Sequence, residues 1–392
     1  MSRTVKTIAF AAAVATATAA PALSRGVGED EIRIGMITDL SGPVIEYGNE
    51  ARNAATMAVE EINAAGGIHG RKINLIVEDN GYEPRKAMLA AQKLIEQDDV
   101  MAILGHLGTA TNMAVLPTLI ESKVYNFLPQ GGSPAFYDPP DRYKIGLAPS
   151  YTQTAFDALT WMYGQNSYER LCTLYQDDDY GRESLEGLEI FARKNDIAVA
   201  EKVSYKRGAT DFSSQIARLR AADCDLVHNS TTVRELVASI SEANKIGFKP
   251  TWLGNIANYS IQAAQLGGDN LEGVYNYYVF PIPYLDSENE GLAKWAQTYV
   301  DRFGSEPGIF SMYSYYAVRV FAQVAEAAGR DLNDDSFAAA LESTKIPPNE
   351  MGVPGFGITA DNRLATSAAR MVQMQNGKWV EVSDWLPVGE LD

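Results

Sequence analysis

The 392 residues carry 33 Lys and Arg against 50 Asp and Glu, a formal net charge of −17, with 46% apolar residues. That balance excludes nucleic acid as a partner, because neutralising phosphates takes clustered basic side chains and none are found. The only cysteines, Cys172 and Cys224, exclude a disulfide framework and a Cys-built zinc site; His69, His106 and His228 are isolated, with no partner at metal-ligand spacing.

Met1 to Ala22 has the order of an export signal: basic Arg3 and Lys6, an apolar run from Ile8 to Ala20, and small residues at Ala20 and Ala22 for cleavage. The product is expected to be soluble outside the cytoplasm, with no later stretch of membrane-spanning length. The remainder is long enough for two domains.

Ile32 to Thr38 alternates as a first strand and runs into Asp39-Leu40-Ser41-Gly42-Pro43. Apolar residues from Ala51 to Ile62 repeat at helical spacing until Gly66-Gly67 stops the helix. A second strand spans Ile73 to Glu78, and Pro84 opens a second helix. The short apolar run Val100 to Leu104 reads as a buried strand, and a helix from Asn112 to Ser122 follows the small residues of Gly105 to Thr111. A strand from Val124 to Leu128 then ends in Pro129-Gln130-Gly131-Gly132-Ser133-Pro134. Alternating strands and helices predict a parallel sheet covered on both faces.

The pattern breaks from Asp138 to Gln153 and starts again. Strands at Leu171–Tyr175, Ile197–Tyr205, Asp225–Asn229 and Thr251–Leu253 alternate with helices at Gly181–Lys194, Phe212–Ala222 and Val233–Ile246. A tyrosine-rich extended segment from Gly273 to Phe280, helices at Ser287–Phe303 and Phe310–Gly329, and a hairpin around Asn376-Gly377 complete the chain. Cys172 and Cys224 lie in or beside strands of one half; an oxidising compartment allows a disulfide, and buried free thiols are the simpler reading.

Two junctions carry the chemistry. Gly108 and Thr109 lie in the turn that leads into the helix from Asn112, whose first N–H groups have no partner within it, and the hydroxyls of Thr109 and Thr111 stand at its cap, a setting that favours an anion. The loop from Gln130 to Ser133 ends the next strand. If the two strands are neighbours, both loops meet at the carboxyl edge of the sheet, where open α/β folds bind ligands. Nucleotide loops of the G-x-G-x-x-G or G-x-x-x-x-G-K-[ST] kind are absent. One enzymatic alternative is a hydrolase using Ser133 in a degenerate nucleophile elbow with His106, although Pro134 removes an N–H such a site needs.

Several strings occur together in one order: Ile34-Gly-Met-Ile-Thr-Asp-Leu-Ser-Gly-Pro43 with Tyr47-Gly48, Ala58 to Gly70, Ile103 to Leu107, Asp179-Tyr-Gly181, and Asp211-Phe212 with Arg218-Leu219. The chain resembles in them the leucine/isoleucine/valine-binding proteins, type I periplasmic receptors of ABC importers. The resemblance implies an α/β fold of two Rossmann-like three-layer lobes with parallel-rich sheets, joined by three hinge crossings near Pro149, Val279 and Ile358. Lobe 1 would comprise residues 30–149 plus 280–357 and lobe 2 residues 150–279 plus 358–388. It implies no catalysis, no cofactor and no metal, and a monomer that delivers a small-molecule carboxylate to a membrane permease of an ABC importer.

By position in that family, Gly108 and Thr109 would hold the ligand carboxylate, with Gln130, Gly131, Gly132 and Ser133 facing them. Tyr47, Tyr151 and Tyr180 would cover the ligand, and Thr232 replaces another aromatic residue. Asn255 and Ile256 stand where amino-acid binders carry an acid for the ammonium. A buried ammonium without that acid forfeits about 1.5–3 kcal/mol, which shifts the expected ligand toward an aromatic or other non-amino acid. An amino-acid receptor with a rearranged ammonium site, and a ligand sensor of the same fold, are the alternatives. Tyr277, Tyr278, Tyr313, Tyr315 and Tyr316 read as packing or hinge residues, and His106 as structural, satisfying loop carbonyls.

Overall fold

The computed structural model describes residues 25–349, 351–353 and 355–391; the export signal expected over Met1 to Ala22 lies outside them. Its first sheet is wholly parallel, in the order β2-β1-β3-β4-β5, from β1 (Glu31–Thr38), β2 (Lys72–Asp79), β3 (Ala102–Leu104), β4 (Tyr125–Phe127) and β5 (Lys144–Ile145). The connecting helices are α1 (Ile45–Ala64), α2 (Pro84–Glu96) and α3 (Thr109–Glu121).

A second α/β body begins with α4 (Tyr151–Gln165). It continues through β6 (Leu171–Gln176), α5 (Asp179–Lys194), β7 (Val199–Tyr205), α6 (Ser213–Ala221), β8 (Leu226–Ser230), α7 (Val233–Lys245), β9 (Thr251–Leu253), α8 (Ile261–Gly267) and β10 (Tyr275–Tyr278). After α9 (Glu290–Phe303), α10 (Ile309–Ala328) and α11 (Asp334–Ser343), the hairpin β11 (Arg370–Gln375) and β12 (Lys378–Trp385) closes the second sheet, ordered β12-β11-β10-β9-β8-β6-β7. In it β7, β6, β8, β9 and β10 are parallel, and β10, β11 and β12 antiparallel.

The chain does not stay with either sheet. Helix α10 packs along α1 and against β3, bringing α9 to α11 back to the first sheet before β11 and β12 return to the second. Each sheet also hugs the helix that follows a strand. A Cβ on Gly48, in α1, would lie 1.7 Å from the Asp39 carbonyl oxygen, and one on Gly181, in α5, 2.0 Å from that of Gln176. Glycine at these two places lets the helix start press onto the strand end.

Several sequence expectations are corrected. β3 begins at Ala102 rather than Val100, and α3 at Thr109 rather than Asn112. Helix α4 falls partly in the stretch read as a break and has no apolar stripe because it is buried nearly all round, Tyr151, Thr152, Thr154, Ala155 and Phe156 in succession along it. Cys172 and Cys224 are not free thiols: they form a disulfide with Cα atoms 5.9 Å apart. The parallel pairing of β6 with β8 sets Cys172 opposite Val227, three residues from Cys224, and so brings the sulfurs within bonding reach.

Candidate ligand-binding site

The two small-residue loops do meet. β3 and β4 are neighbours, and beyond their ends Gln130 N–H donates to the His106 carbonyl at 2.9 Å while Gly108 N–H donates to that of Gln130 at 3.3 Å. Gly108 sits at φ 96°, where a Cβ would lie 2.7 Å from the ring of Tyr82, so glycine is required for α3 to begin here. No side chain caps this helix. Thr111, expected as a cap hydroxyl, instead donates back to the Leu107 carbonyl at 2.7 Å. Thr109 Oγ1 is buried beside the Tyr151 hydroxyl at the first turn, whose leading N–H groups have no partner within the helix.

Gly132 is fixed against the start of α4. Its carbonyl accepts from Tyr151 N–H at 2.7 Å, and a Cβ would stand 2.7 Å from the Pro149 carbonyl oxygen, so a hydroxyl-bearing residue has no room. The opposite wall comes from the second sheet. Tyr180 Oη lies 2.9 Å from Asn255 Oδ1 and 3.0 Å from the Thr231 carbonyl, and its ring meets Tyr151 edge-on at 4.8 Å. Tyr47 stacks on Phe310 at 4.0 Å and joins the two walls, donating to the Ala257 carbonyl at 2.9 Å and accepting from Val233 N–H at 2.8 Å.

Between these walls lies a pocket. Ten of the twelve sequence-selected residues line it: Tyr47, Gly108, Thr109, Gln130, Gly131, Gly132, Tyr151, Tyr180, Thr232 and Ile256. Ser133 and Asn255 do not. Ser133 Oγ is turned to Glu183 Oε1 at 2.6 Å, and Asn255 Oδ1 accepts from Ala257 N–H at 3.0 Å within its own loop. Sequence reasoning missed Tyr82, Phe310 and Tyr313 among the lining residues. Tyr82 follows β2 much as Tyr180 follows β6, a signal that was available; Phe310 and Tyr313 arrive on α10 from the far end of the chain. Tyr313, read as packing, instead borders the cavity with an unpartnered hydroxyl.

No ionisable acid, lysine, arginine or histidine lines the cavity. Burial raises the phenols, Tyr151 to about 12, so they stay neutral donors. His106 is fully buried just behind, and neither ring nitrogen has a hydrogen-bond partner, so it does not satisfy loop carbonyls as expected; burial lowers it to about 3. The Ser133–His106 pairing that hydrolysis needs is therefore missing. Among the described residues, no helix is long and apolar enough to cross a membrane, and no His, Cys, Asp or Glu cluster is arranged to hold a metal.

Comparison with known proteins agrees with the geometry. A family model described as periplasmic binding protein matches residues 31–378. A Leu/Ile/Val-binding protein homologue from Brucella abortus is 26% identical, covering 96% of this chain and 95% of its own. Among solved structures, a fatty acid ABC transporter substrate-binding protein from Thermomonospora curvata superposes with a TM-score of 0.83 at 22% identity, covering 94% of this chain and 95% of that one. The branched-chain amino acid transporter substrate-binding protein LivJ of Streptococcus pneumoniae, in complex with isoleucine, gives 0.76 at 21%, covering 90% and 100%. The type I periplasmic binding protein fold follows from these superpositions, and the proteins that share it here are solute-binding proteins rather than enzymes. The chain belongs to the periplasmic binding protein family, that of the Leu/Ile/Val-binding proteins.

Proposed function

We propose that this protein is the extracytoplasmic receptor of an ABC importer of the branched-chain amino acid type. It captures a small carboxylate that lacks an α-ammonium and presents it, as a periplasmic monomer, to the membrane permease. Residues 30–149 with 280–357 form one lobe and residues 150–279 with 358–388 the other, and the ligand is buried when they close. The observation that carries the reading is the polarity of the cavity: free helix-start N–H groups and Thr109 Oγ1 at one end, and no acid anywhere on its lining. Ile256, at the expected ammonium wall, is apolar. The Thermomonospora curvata neighbour, described as a fatty acid receptor, gives a ligand class with a carboxylate and no ammonium. Contacts that span the cleft support closure as the binding step: Tyr47 to Val233 and Ala257, Ser133 to Glu183, and Arg207 Nη1 to the Tyr82 carbonyl at 2.7 Å.

A thermal-shift screen of refolded, ligand-free mature protein against α-amino acids and non-amino carboxylates tests this. A ligand at a hundred times its dissociation constant adds about 2.7 kcal/mol. Stabilisation by the carboxylates alone is expected; stabilisation by leucine or isoleucine and by no plain carboxylate overturns the ligand assignment.

A further inference from the structure

Beyond the anion end, the cavity holds a second pair of unanswered polar atoms. Gln130 is 4% exposed, and its amide nitrogen donates to the Phe310 carbonyl at 3.3 Å and to Ser314 Oγ at 2.5 Å. Those two bonds fix the amide's orientation, because only its N–H side can donate to a carbonyl. Gln130 Oε1 is thereby left as a buried acceptor with no donor. Tyr313 is 4% exposed and sits on α10 between the two residues that hold Gln130, three after Phe310 and one before Ser314. Its ring is wedged by Phe280 at 5.1 Å and Phe310 at 6.1 Å, and its hydroxyl also lacks a partner. Both residues line the same cavity.

A native protein leaves few buried polar groups unpaired, and each one is costly unless something answers it. An acceptor and a phenol on one pocket, neither ionisable near neutral pH, are both answered by a group that donates to the first and accepts from the second. A hydroxyl does so. A carboxylate cannot donate to Gln130 Oε1, an ammonium cannot accept from Tyr313, and a hydrocarbon end answers neither.

Resting on the carboxylate reading, we infer that the ligand is a hydroxy acid, its carboxylate at the start of α3 beside Thr109 and its hydroxyl between Gln130 Oε1 and Tyr313 Oη. Gln130 and Tyr313 are then the specificity-determining residues. They reject the analogue without the hydroxyl because binding it seals both atoms away unpaired.

The test is isothermal titration of the mature protein and its Tyr313→Phe variant with matched acids: 4-hydroxybenzoate and benzoate, mandelate and phenylacetate, and 2-hydroxy-4-methylpentanoate and 4-methylpentanoate. In at least one pair the hydroxy acid should bind about ten- to a hundredfold tighter than its partner. Tyr313→Phe should remove most of that preference, weakening the hydroxy acid while the plain acid binds at least as tightly as to the wild type. Because the ring packing is kept and an unpaired buried hydroxyl is lost, the variant should melt no lower than the wild type. Plain acids that bind as tightly as their hydroxy partners, or a variant that weakens both members of a pair alike, overturn the hydroxy-acid inference and leave the carboxylate reading standing. Failure of every acid in the panel to bind overturns both.

Discussion

Replacing Glu50 by Gln should flatten a large part of the dependence of stability on pH. Glu50 lies in α1, 6% exposed, against the start of α10, with the backbone N–H groups of Gly308, Phe310 and Ser311 around its carboxyl and the Gln262 amide of α8 donating to it. Burial outweighs these donors and raises the carboxyl from 4.5 to about 8. Between those values the folded protein keeps a proton that the unfolded chain has released. The contribution of Glu50 to stability is therefore full below pH 4.5 and lost as pH rises through about 8. At about 1.4 kcal/mol per pH unit the loss has a ceiling on the order of 5 kcal/mol. Gln keeps the shape and cannot ionise. Denaturant unfolding of both proteins near pH 4.5 and above pH 8 should give a difference, variant minus wild type, that grows by a few kcal/mol in favour of the variant at the higher pH. Using the difference cancels the other titrating groups, His106 and His228 included, which burial lowers and which therefore destabilise toward acid. A difference that stays constant across this range would refute the idea that a desolvated carboxyl is held at the α1–α10–α8 contact.

Two further predictions follow from particular atoms. The Cys172–Cys224 bridge spans a sequence separation of 52 residues, so reducing it, or changing both cysteines to Ala, should cost about 4 kcal/mol of stability on the loop-closure estimate. Identical denaturation midpoints with and without reductant would count against that bridge holding in solution. Gly132→Ser should lower stability by about 1–3 kcal/mol because the new Cβ meets the Pro149 carbonyl; a variant that melts like the wild type would show that the Gly132 loop has room.

The strand-helix alternation was legible because parallel strands buried on both faces read as short apolar runs and their helices as amphipathic repeats. The site was legible where it is built from the ends of those strands: Gly108 and Thr109 after β3, Gln130 to Gly132 after β4, Tyr180 after β6. It was not legible where a residue reaches the cavity from a helix that already looks like core. Tyr313 is one of a dense aromatic run on α10, nearly all of it buried, and sequence alone gives no means of telling the tyrosine that borders the cavity from those that face Trp295 or Phe356. Ser133 failed for the opposite reason. Its loop was rightly placed, but a one-residue step turns its side chain away from the cavity and toward Glu183, and only the backbone path decides that. The disulfide depended on which strands are neighbours, a long-range fact that the spacing of two cysteines does not contain.

The acids nearest the cavity do not line it. Asp178 is bound to Gln176 Nε2 at 2.7 Å and Arg207 Nε at 3.2 Å, and Glu235 to Thr232, while Glu183 meets Ser133 through Oε1 and keeps Oε2 buried and unpartnered. Burial raises all three, Glu183 to about 8. An ammonium brought into this space meets no acid on the lining, among the described residues, and would remain against Ile256 and the tyrosines with its hydration unreplaced. A carboxylate does not face that cost, because the start of α3 presents it with N–H groups that no other part of the protein uses. Under the proposed carboxylate reading, the selectivity of the cavity for charge would come from the start of α3 rather than from a charged residue placed in it.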